Sequence, residues 1–273
     1  MSKTLLLTGA TGFIGRHVLH SLEPHGLNLR VVTRKPDTVD FPVGTAIIPT
    51  QDMFAESASW WANVAEGADA VLHLAWYAEP GAYLRSPLNL ACLRGTLTMA
   101  EGCAQAGVKR FVGTGTCFEY DTCLGHLSPS TPLNPASPYA AAKAAAYLFL
   151  REYFRESEVS FAWCRLFHLF GEGEDPRRLI PYVRRQLANG QEVELTSGTQ
   201  IRDYLDVRLA AEELVIQLLG PHEGAINICS GEGKTVREIV ESIADEYGSR
   251  DLLRFGARAE NFTDPPVVVG RKQ

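Results

Sequence analysis

Short apolar runs, each ending in a small or polar residue, recur through the first 120 positions: KTLLLTG at 3–9, NLRVVTR at 28–34, TAIIPT at 45–50, DAVLHLAW at 69–76 and KRFVGTGT at 109–116. They are apolar throughout rather than alternating, which suits strands of a parallel sheet covered on both faces. Helix-like segments lie between them: GRHVLHSLE at 15–23, SASWWANVAEG at 57–67 and LNLACLRGTLTMAEGCAQAG at 88–107. The spacing of Val18 and Leu22 places both on one helix face. The loop SPSTPLNPASP at 128–138 carries four prolines that rule out regular structure, and the alanine-rich helix SPYAAAKAAAYLFLREYFRES at 137–157 follows. SFAWCRLFHLFG at 160–171 reads as a sixth strand running into a loop. This alternation predicts a Rossmann-like, doubly wound α/β domain over residues 1–171, with its ligand beyond the C-terminal ends of the strands.

The pattern loosens from residue 172. DPRRLIPYVRRQLANG at 175–190 reads as a helix and VELT at 193–196 as a short strand. VREIVESIADEYG at 236–248 reads as an amphipathic helix with Val236, Ile239, Val240 and Ile243 inward. Residues 172–273 are therefore expected to form mainly a smaller, substrate-binding lobe over the sheet's C-terminal edge. There are no internal repeats.

Composition narrows the partners. The chain has 273 residues, 45% hydrophobic and 21% charged, enough to bury a full core. No apolar run approaches the ~20 residues of a membrane span, and no signal-peptide pattern precedes the first strand. The six cysteines, Cys92, Cys103, Cys117, Cys123, Cys164 and Cys229, are scattered without metal-ligand spacing. Reduced thiols in a cytoplasmic protein are the expectation, with no metal. A net charge of −6 argues against nucleic acid as partner, so an anionic substrate must meet local cations. Arg165, Arg177, Arg178, Arg184, Arg185 and Arg202 crowd the C-terminal half, and about two of them are expected to bind anything.

Two features carry chemistry. LTGATGFIGRHV at 7–18 sets three glycines between a strand and a helix N-terminus. Free N–H groups and the helix dipole there make a site for a pyrophosphate. Tyr139 and Lys143 stand four apart on one helix face. A lysine so placed is expected to lower the phenol's pKa, giving a general acid or base near neutral pH. Thr116 ends the fifth strand, at the same sheet edge as the glycine turn, with a hydroxyl suited to a carbonyl or alcohol.

TGATGFIG, HLAW, GTGT and YAAAK, in this order and spacing, resemble the extended short-chain dehydrogenase/reductase family of nucleotide-sugar epimerases, dehydratases and ketoreductases, over about residues 3–270. The resemblance implies a catalytic triad of Thr116, Tyr139 and Lys143. It implies cofactor contacts from Gly9, Thr11, Gly12, Phe13, Ile14 and Gly15, from Arg34 and Asp52, and from Leu74 and Ala75, with Lys143 holding the nicotinamide ribose beside Tyr139. RLFHLFG resembles the family's RxFNxYG strand and QIRDYLDV its RDY segment, which implies substrate contacts from His168 and Arg202, the arginine on the diphosphate. The helices at 88–106 and 139–156 keep apolar residues on more than one side (Leu88, Leu90, Leu93, Leu97; Tyr147, Leu148, Leu150, Phe154), and in the family such helices pair in a homodimer.

Departures from the family pattern point to the reaction. His168 replaces an Asn, Cys92 another Asn, and Leu209 an Asp, while HLAW in place of HLAA brings Trp76 and Tyr77 near the nicotinamide, with Trp76 expected as a third substrate contact. Family dehydratases carry an Asp-Glu pair after the catalytic Thr; Cys117 and Phe118 stand there, which disfavours dehydration. Strand two ends with Thr33 where NAD-dependent members have a carboxylate, and Arg34 follows, which suits the 2′-phosphate of NADPH, with NAD the second choice. The expectation is an NADPH-dependent ketoreductase of a 4-keto-6-deoxy nucleotide sugar. The alternatives are a nucleotide-sugar 4-epimerase and a non-catalytic dinucleotide sensor.

Overall fold

The computed structural model describes residues 2–261 and 264–272. Its first half alternates β1 (Thr4–Thr8), α1 (Phe13–Leu22), β2 (Asn28–Thr33), β3 (Ala46–Pro49), α2 (Ala58–Ala65), β4 (Ala70–His73), α3 (Leu88–Gln105), β5 (Arg110–Thr116), β6 (His126–Leu127) and α4 (Pro138–Glu156). Next come β7 (Ser160–Leu166), β8 (His168–Phe170), α5 (Leu179–Ala188), β9 (Val193–Leu195), β10 (Ile201–Arg202), β11 (Tyr204–Asp206) and α6 (Val207–Leu219). The chain closes with β12 (Gly224–Ile228), β13 (Lys234–Thr235), α7 (Val236–Tyr247), β14 (Leu253–Phe255) and β15 (Val267–Gly270).

Seven strands form a parallel sheet in the order β12-β7-β5-β4-β1-β2-β3. Successive side chains of a strand point to opposite faces, so a strand buried on both faces must be apolar at consecutive positions. Leu6, Val71 and Phe111 pack with Trp61, Met99, Leu150 and Phe154 beneath α2, α3 and α4. Leu5, Leu7, Leu72 and Val112 pack on the other face with Val18, Leu22, Leu214 and Leu218 of α1 and α6. The edge strand β3 departs from this: Ala46, Ile47 and Pro49 are exposed, and only Ile48 packs on the core.

The predicted sixth strand is two strands. β7 ends at Leu166, and β8 leaves the main sheet to pair with β11, setting His168 opposite Tyr204. The main sheet does not stop at residue 171, because α6 packs on α1 and β12 pairs with β7. The remaining segments form a lobe in which α5, β9 and α7 share a core of Val183, Leu187, Val193, Val240 and Ile243. A small sheet, β13-β10-β15-β6, ties that lobe to the segment before α4 and carries Arg202. Among the described residues no helix is long and apolar enough to cross a membrane, and no cluster of His, Cys, Asp or Glu is arranged to hold a metal ion.

Candidate active site

The glycine turn leaves no room for side chains. Gly9 has φ +77°, in the left-handed region, and a Cβ there would lie 2.7 Å from the Ala75 nitrogen. A Cβ on Gly15 would lie 2.1 Å from the Gly9 carbonyl oxygen. Gly12, the N-cap residue of α1, offers no side-chain cap to the first-turn N–H groups. Leu74 and Ala75 close the turn from β4, their N–H groups donating to Thr8 O at 3.2 Å and Thr8 Oγ1 at 3.5 Å. Thr11, Phe13 and Ile14 are half-buried around it: the Thr11 carbonyl accepts from Arg16 Nε at 3.2 Å, Phe13 meets His17 edge-on, and Ile14 packs into the core. Such a bare cradle at an uncapped helix start fits a dinucleotide pyrophosphate. Arg34 is exposed just past β2, beside a buried Thr33 whose hydroxyl accepts from the Lys35 N–H at 3.1 Å. Asp52 is exposed after β3, its carboxylate capping the Phe54 N–H at 3.0 Å.

At the same sheet edge the structure brings Thr116, Tyr139 and Lys143 together. Ser137 caps α4 by accepting the Ala140 N–H at 3.2 Å, with Pro138 at the first helical position, so Tyr139 lies in the first turn and Lys143 one turn on. The Thr116 hydroxyl lies beside the Tyr139 phenol. Tyr83, from the loop after β4, meets the Tyr139 ring edge-on at 4.8 Å, and Trp76 does so at 6.5 Å.

Lys143 does not act on the phenol as its spacing suggests. Its Nζ donates to the Thr114 carbonyl at 2.6 Å and lies 4.0 Å from the centre of the Trp76 ring. Burial pushes the lysine down to about 7, opposed by the nearby Glu119 charge. Burial holds the Tyr139 phenol well above its ordinary range, with the neighbouring Tyr83 adding to the rise and the Thr116 hydroxyl opposing it. The expected depression of the tyrosine is therefore corrected: desolvation outweighs a lysine whose charge is turned into the protein.

Opposite this cluster, the His168 ring lies 5.4 Å from that of Tyr204, tilted by 41°, and meets Phe118 edge-on at 6.0 Å. Its Nδ1 is buried without a hydrogen-bond partner among the described residues. Burial first, then the charges of Arg202 and Arg178, hold the imidazole down at about 3, so it is neutral. Arg202 is buried in β10 and pairs with Asp264 at 2.6 Å. Arg178, at the N-cap of α5, sets its guanidinium carbon 5.8 Å from the centre of the Tyr83 ring. Glu174, half-buried in the same loop, has its carboxyl raised to about 7 by burial, with Arg178 opposing.

The other arginines are spoken for elsewhere. Arg165 is buried against Glu119 at 2.7 Å, Arg177 pairs with Asp175 and Glu79, Arg184 with Glu246, and Arg185 donates to the Pro176 carbonyl. Tyr83, Arg178 and Glu119 escaped the sequence reading of the site; Arg178 stood only among six undifferentiated arginines. Tyr147, Leu150 and Phe154, read as possible dimer surface, are core residues, while Leu88, Leu90, Leu148 and Phe149 are exposed.

A parallel sheet with a bare glycine cradle and a polar cluster at its C-terminal edge is the architecture of a dinucleotide-binding α/β enzyme. The chain belongs to the NAD dependent epimerase/dehydratase family, whose model matches residues 5–229, and is an enzyme of the extended short-chain dehydrogenase/reductase type. It is 25% identical over 274 residues to dTDP-6-deoxy-L-talose 4-dehydrogenase (NAD(+)) of Aggregatibacter actinomycetemcomitans, covering 98% of this chain and 99% of that protein. It is 27% identical to the structure of MoeE5 in complex with UDP-glucuronic acid and NAD, with a TM-score of 0.83 over 99% of this chain and 90% of that one. UDP-N-acetylglucosamine 4-epimerase from Methanobrevibacter ruminantium M1 shares the fold, with a TM-score of 0.88 at 22% identity over 99% of this chain and 90% of that one.

Proposed function

We propose that this protein is a ketoreductase that reduces the 4-keto group of a 4-keto-6-deoxy nucleotide sugar, using NADPH. The observation that carries the reading is the placement of Tyr139: in the first turn of α4, its ring edge-on to Tyr83 at 4.8 Å, with the buried Lys143 one turn on and the buried Thr116 beside it, it presents a phenol whose proton burial favours. A ketone gaining hydride at carbon needs a proton at oxygen, and a protonated phenol beside a hydroxyl supplies one. In this reading the bound nicotinamide provides the hydride. Thr116 orients the substrate oxygen, Tyr139 donates the proton, and Lys143 reaches the ribose by leaving the Thr114 carbonyl and the Trp76 ring that hold it here. Gly9, Gly12 and Gly15 admit the pyrophosphate, with Thr11, Phe13, Ile14, Leu74, Ala75 and Asp52 around the cofactor.

Two further observations support the substrate class. Cys117 is buried with its thiol pushed up to about 12, and Phe118 is apolar, so neither serves as the acid or base of a water elimination. Among relatives, a name specifying a 4-dehydrogenase of a 6-deoxy sugar describes the same redox change at the same carbon in reverse. Arg202, Arg178 and the neutral His168 offer two cations and one hydrogen-bonding nitrogen to a diphosphate. Arg34 beside Thr33 supports NADPH over NADH. In this account residues 1–171 carry the cofactor and catalytic groups, and 172–273 mainly the sugar nucleotide. Leu90 and Phe149, 54% and 52% exposed on α3 and α4, support pairing of two copies, and light scattering at micromolar concentration is expected to give a dimer.

The test is a panel of dTDP-, CDP-, GDP- and UDP-linked 4-keto-6-deoxy sugars, followed by NADPH absorbance. Consumption with at least one member is expected. A 4-epimerised sugar with no cofactor consumed would replace the reductase by the epimerase.

A further inference from the structure

β5 ends over a buried carboxylate. A Cβ on Gly115 would lie 2.2 Å from Trp163 Nε1 and 2.3 Å from Glu119 Oε1, so the glycine leaves its space to those two groups. Glu119 has no exposed surface. Its Oε1 accepts from the Thr116 N–H at 2.8 Å and from Trp163 Nε1 at 3.0 Å. Its Oε2 accepts from Arg165 Nε at 2.7 Å. Arg165, 1% exposed, continues the chain: Nη1 donates to the Tyr120 hydroxyl at 3.0 Å, which donates to Asn227 at 2.7 Å. Its guanidinium carbon lies 4.5 Å and 4.6 Å from the rings of Tyr120 and Tyr147.

A buried ion pair is weak evidence for stability, because two packed apolar side chains often serve as well. The location of this one is more telling. Thr116 and Glu119 form a reciprocal cap, the Thr116 hydroxyl accepting the Phe118 N–H while the Glu119 carboxylate holds the Thr116 N–H. We propose that Glu119 is a positioning residue: braced by Trp163 and Arg165, its carboxylate fixes the turn that aims the Thr116 hydroxyl at Tyr139. The inference rests on the catalytic reading of Thr116, Tyr139 and Lys143 given above. The same negative charge raises both Lys143 and Tyr139, so its removal makes each lose its proton at lower pH.

The test uses the full chain and two variants, with Tyr139→Phe as control. The double variant Glu119→Met with Arg165→Met removes the pair without stranding a charge, which favours folding. Amide hydrogen exchange, which needs no substrate, is expected to quicken at residues 116–118 and to stay as in the wild type along β1 and β4. With NADPH and the best sugar of the panel, kcat is expected to fall roughly 10²-fold, as for a small misplacement of a reacting group, with little change in KM. Glu119→Gln keeps an acceptor for the Thr116 N–H and loses the charge. It is expected to move the pH profile of kcat to lower pH, a displacement that looser packing alone would not give. Unchanged exchange at 116–118, or kcat within about twofold of wild type in the folded double variant, or an unmoved profile in Glu119→Gln, would overturn the inference. Wild-type turnover by Tyr139→Phe would instead refute the catalytic reading itself; a silent Tyr139→Phe beside a fully active double variant would remove only the role of Glu119.

Discussion

The Lys143 ammonium sits 4.0 Å from the centre of the Trp76 ring and donates to the Thr114 carbonyl, so the tryptophan in the loop after β4 covers the lysine one turn below Tyr139. Trp76 is fixed in turn, its Nε1 donating to Asn89 at 2.8 Å, and Asn89 also donates to the Tyr83 and Ser86 carbonyls. One buried amide on α3 thus arranges the loop whose two aromatic side chains pack on the proposed proton donor.

Burying that lysine has a cost that depends on pH. Its pKa is about 7 in the folded chain against 10.5 unfolded, so the unfolded chain binds more protons between those values. Stability owed to this group therefore rises with pH through that window and is lowest below it. Lys143→Met is expected to abolish turnover while raising the melting temperature, and the rise is expected to be larger near pH 6 than near pH 9. Thermal unfolding at the two pH values checks this; a larger rise at the alkaline pH would contradict it.

Tyr139→Phe keeps the edge contact with Tyr83 and removes the proton. Turnover is expected to fall by at least ~10²-fold, the usual scale of general acid–base catalysis. Dinucleotide affinity, measured by fluorescence titration, is expected to change little. A variant that retains most of the wild-type kcat would show that the proton comes from elsewhere.

The parallel sheet and the glycine cradle were legible because each is dictated by neighbours in sequence. Leu5, Leu6 and Leu7 must be apolar in a row to serve two faces, and Gly9 and Gly15 must be bare to let backbone meet backbone. Tyr139 and Lys143 were legible as a pair for the same reason, but not the direction in which the lysine turns, which Thr114 and Trp76 decide from other strands. Glu119 stands among threonines and a second carboxylate, Asp121, and its partner Arg165 lies 46 residues away, so nothing local marked either. Arg165 looked like a cation for a substrate until burial and that carboxylate claimed it. Helix α6 and strand β12 were passed over where the alternation loosened, although Leu214, Leu218 and Ile228 complete the core against α1 and β7.

Arg34 decides the cofactor in this account. Its exposed guanidinium is free of any described ion pair, next to a threonine rather than a carboxylate. Arg34→Ala is expected to weaken NADPH binding by roughly ten- to a hundredfold, the loss of one charge-assisted contact of about 1.5–3 kcal/mol, with NADH binding nearly unchanged. Equal affinity of the wild type for both cofactors would remove the reason for preferring NADPH.

The most direct measurement follows an isotope. The full chain is incubated with a 4-keto-6-deoxy nucleotide sugar and NADPH carrying deuterium at the transferable position, and the sugar product is weighed by mass spectrometry. A ketoreductase that uses Tyr139 as its acid is expected to give one deuterium at carbon 4 per NADPH oxidised, in wild type and not in Tyr139→Phe. An epimerised sugar without deuterium, formed while NADPH remains intact, would contradict the account.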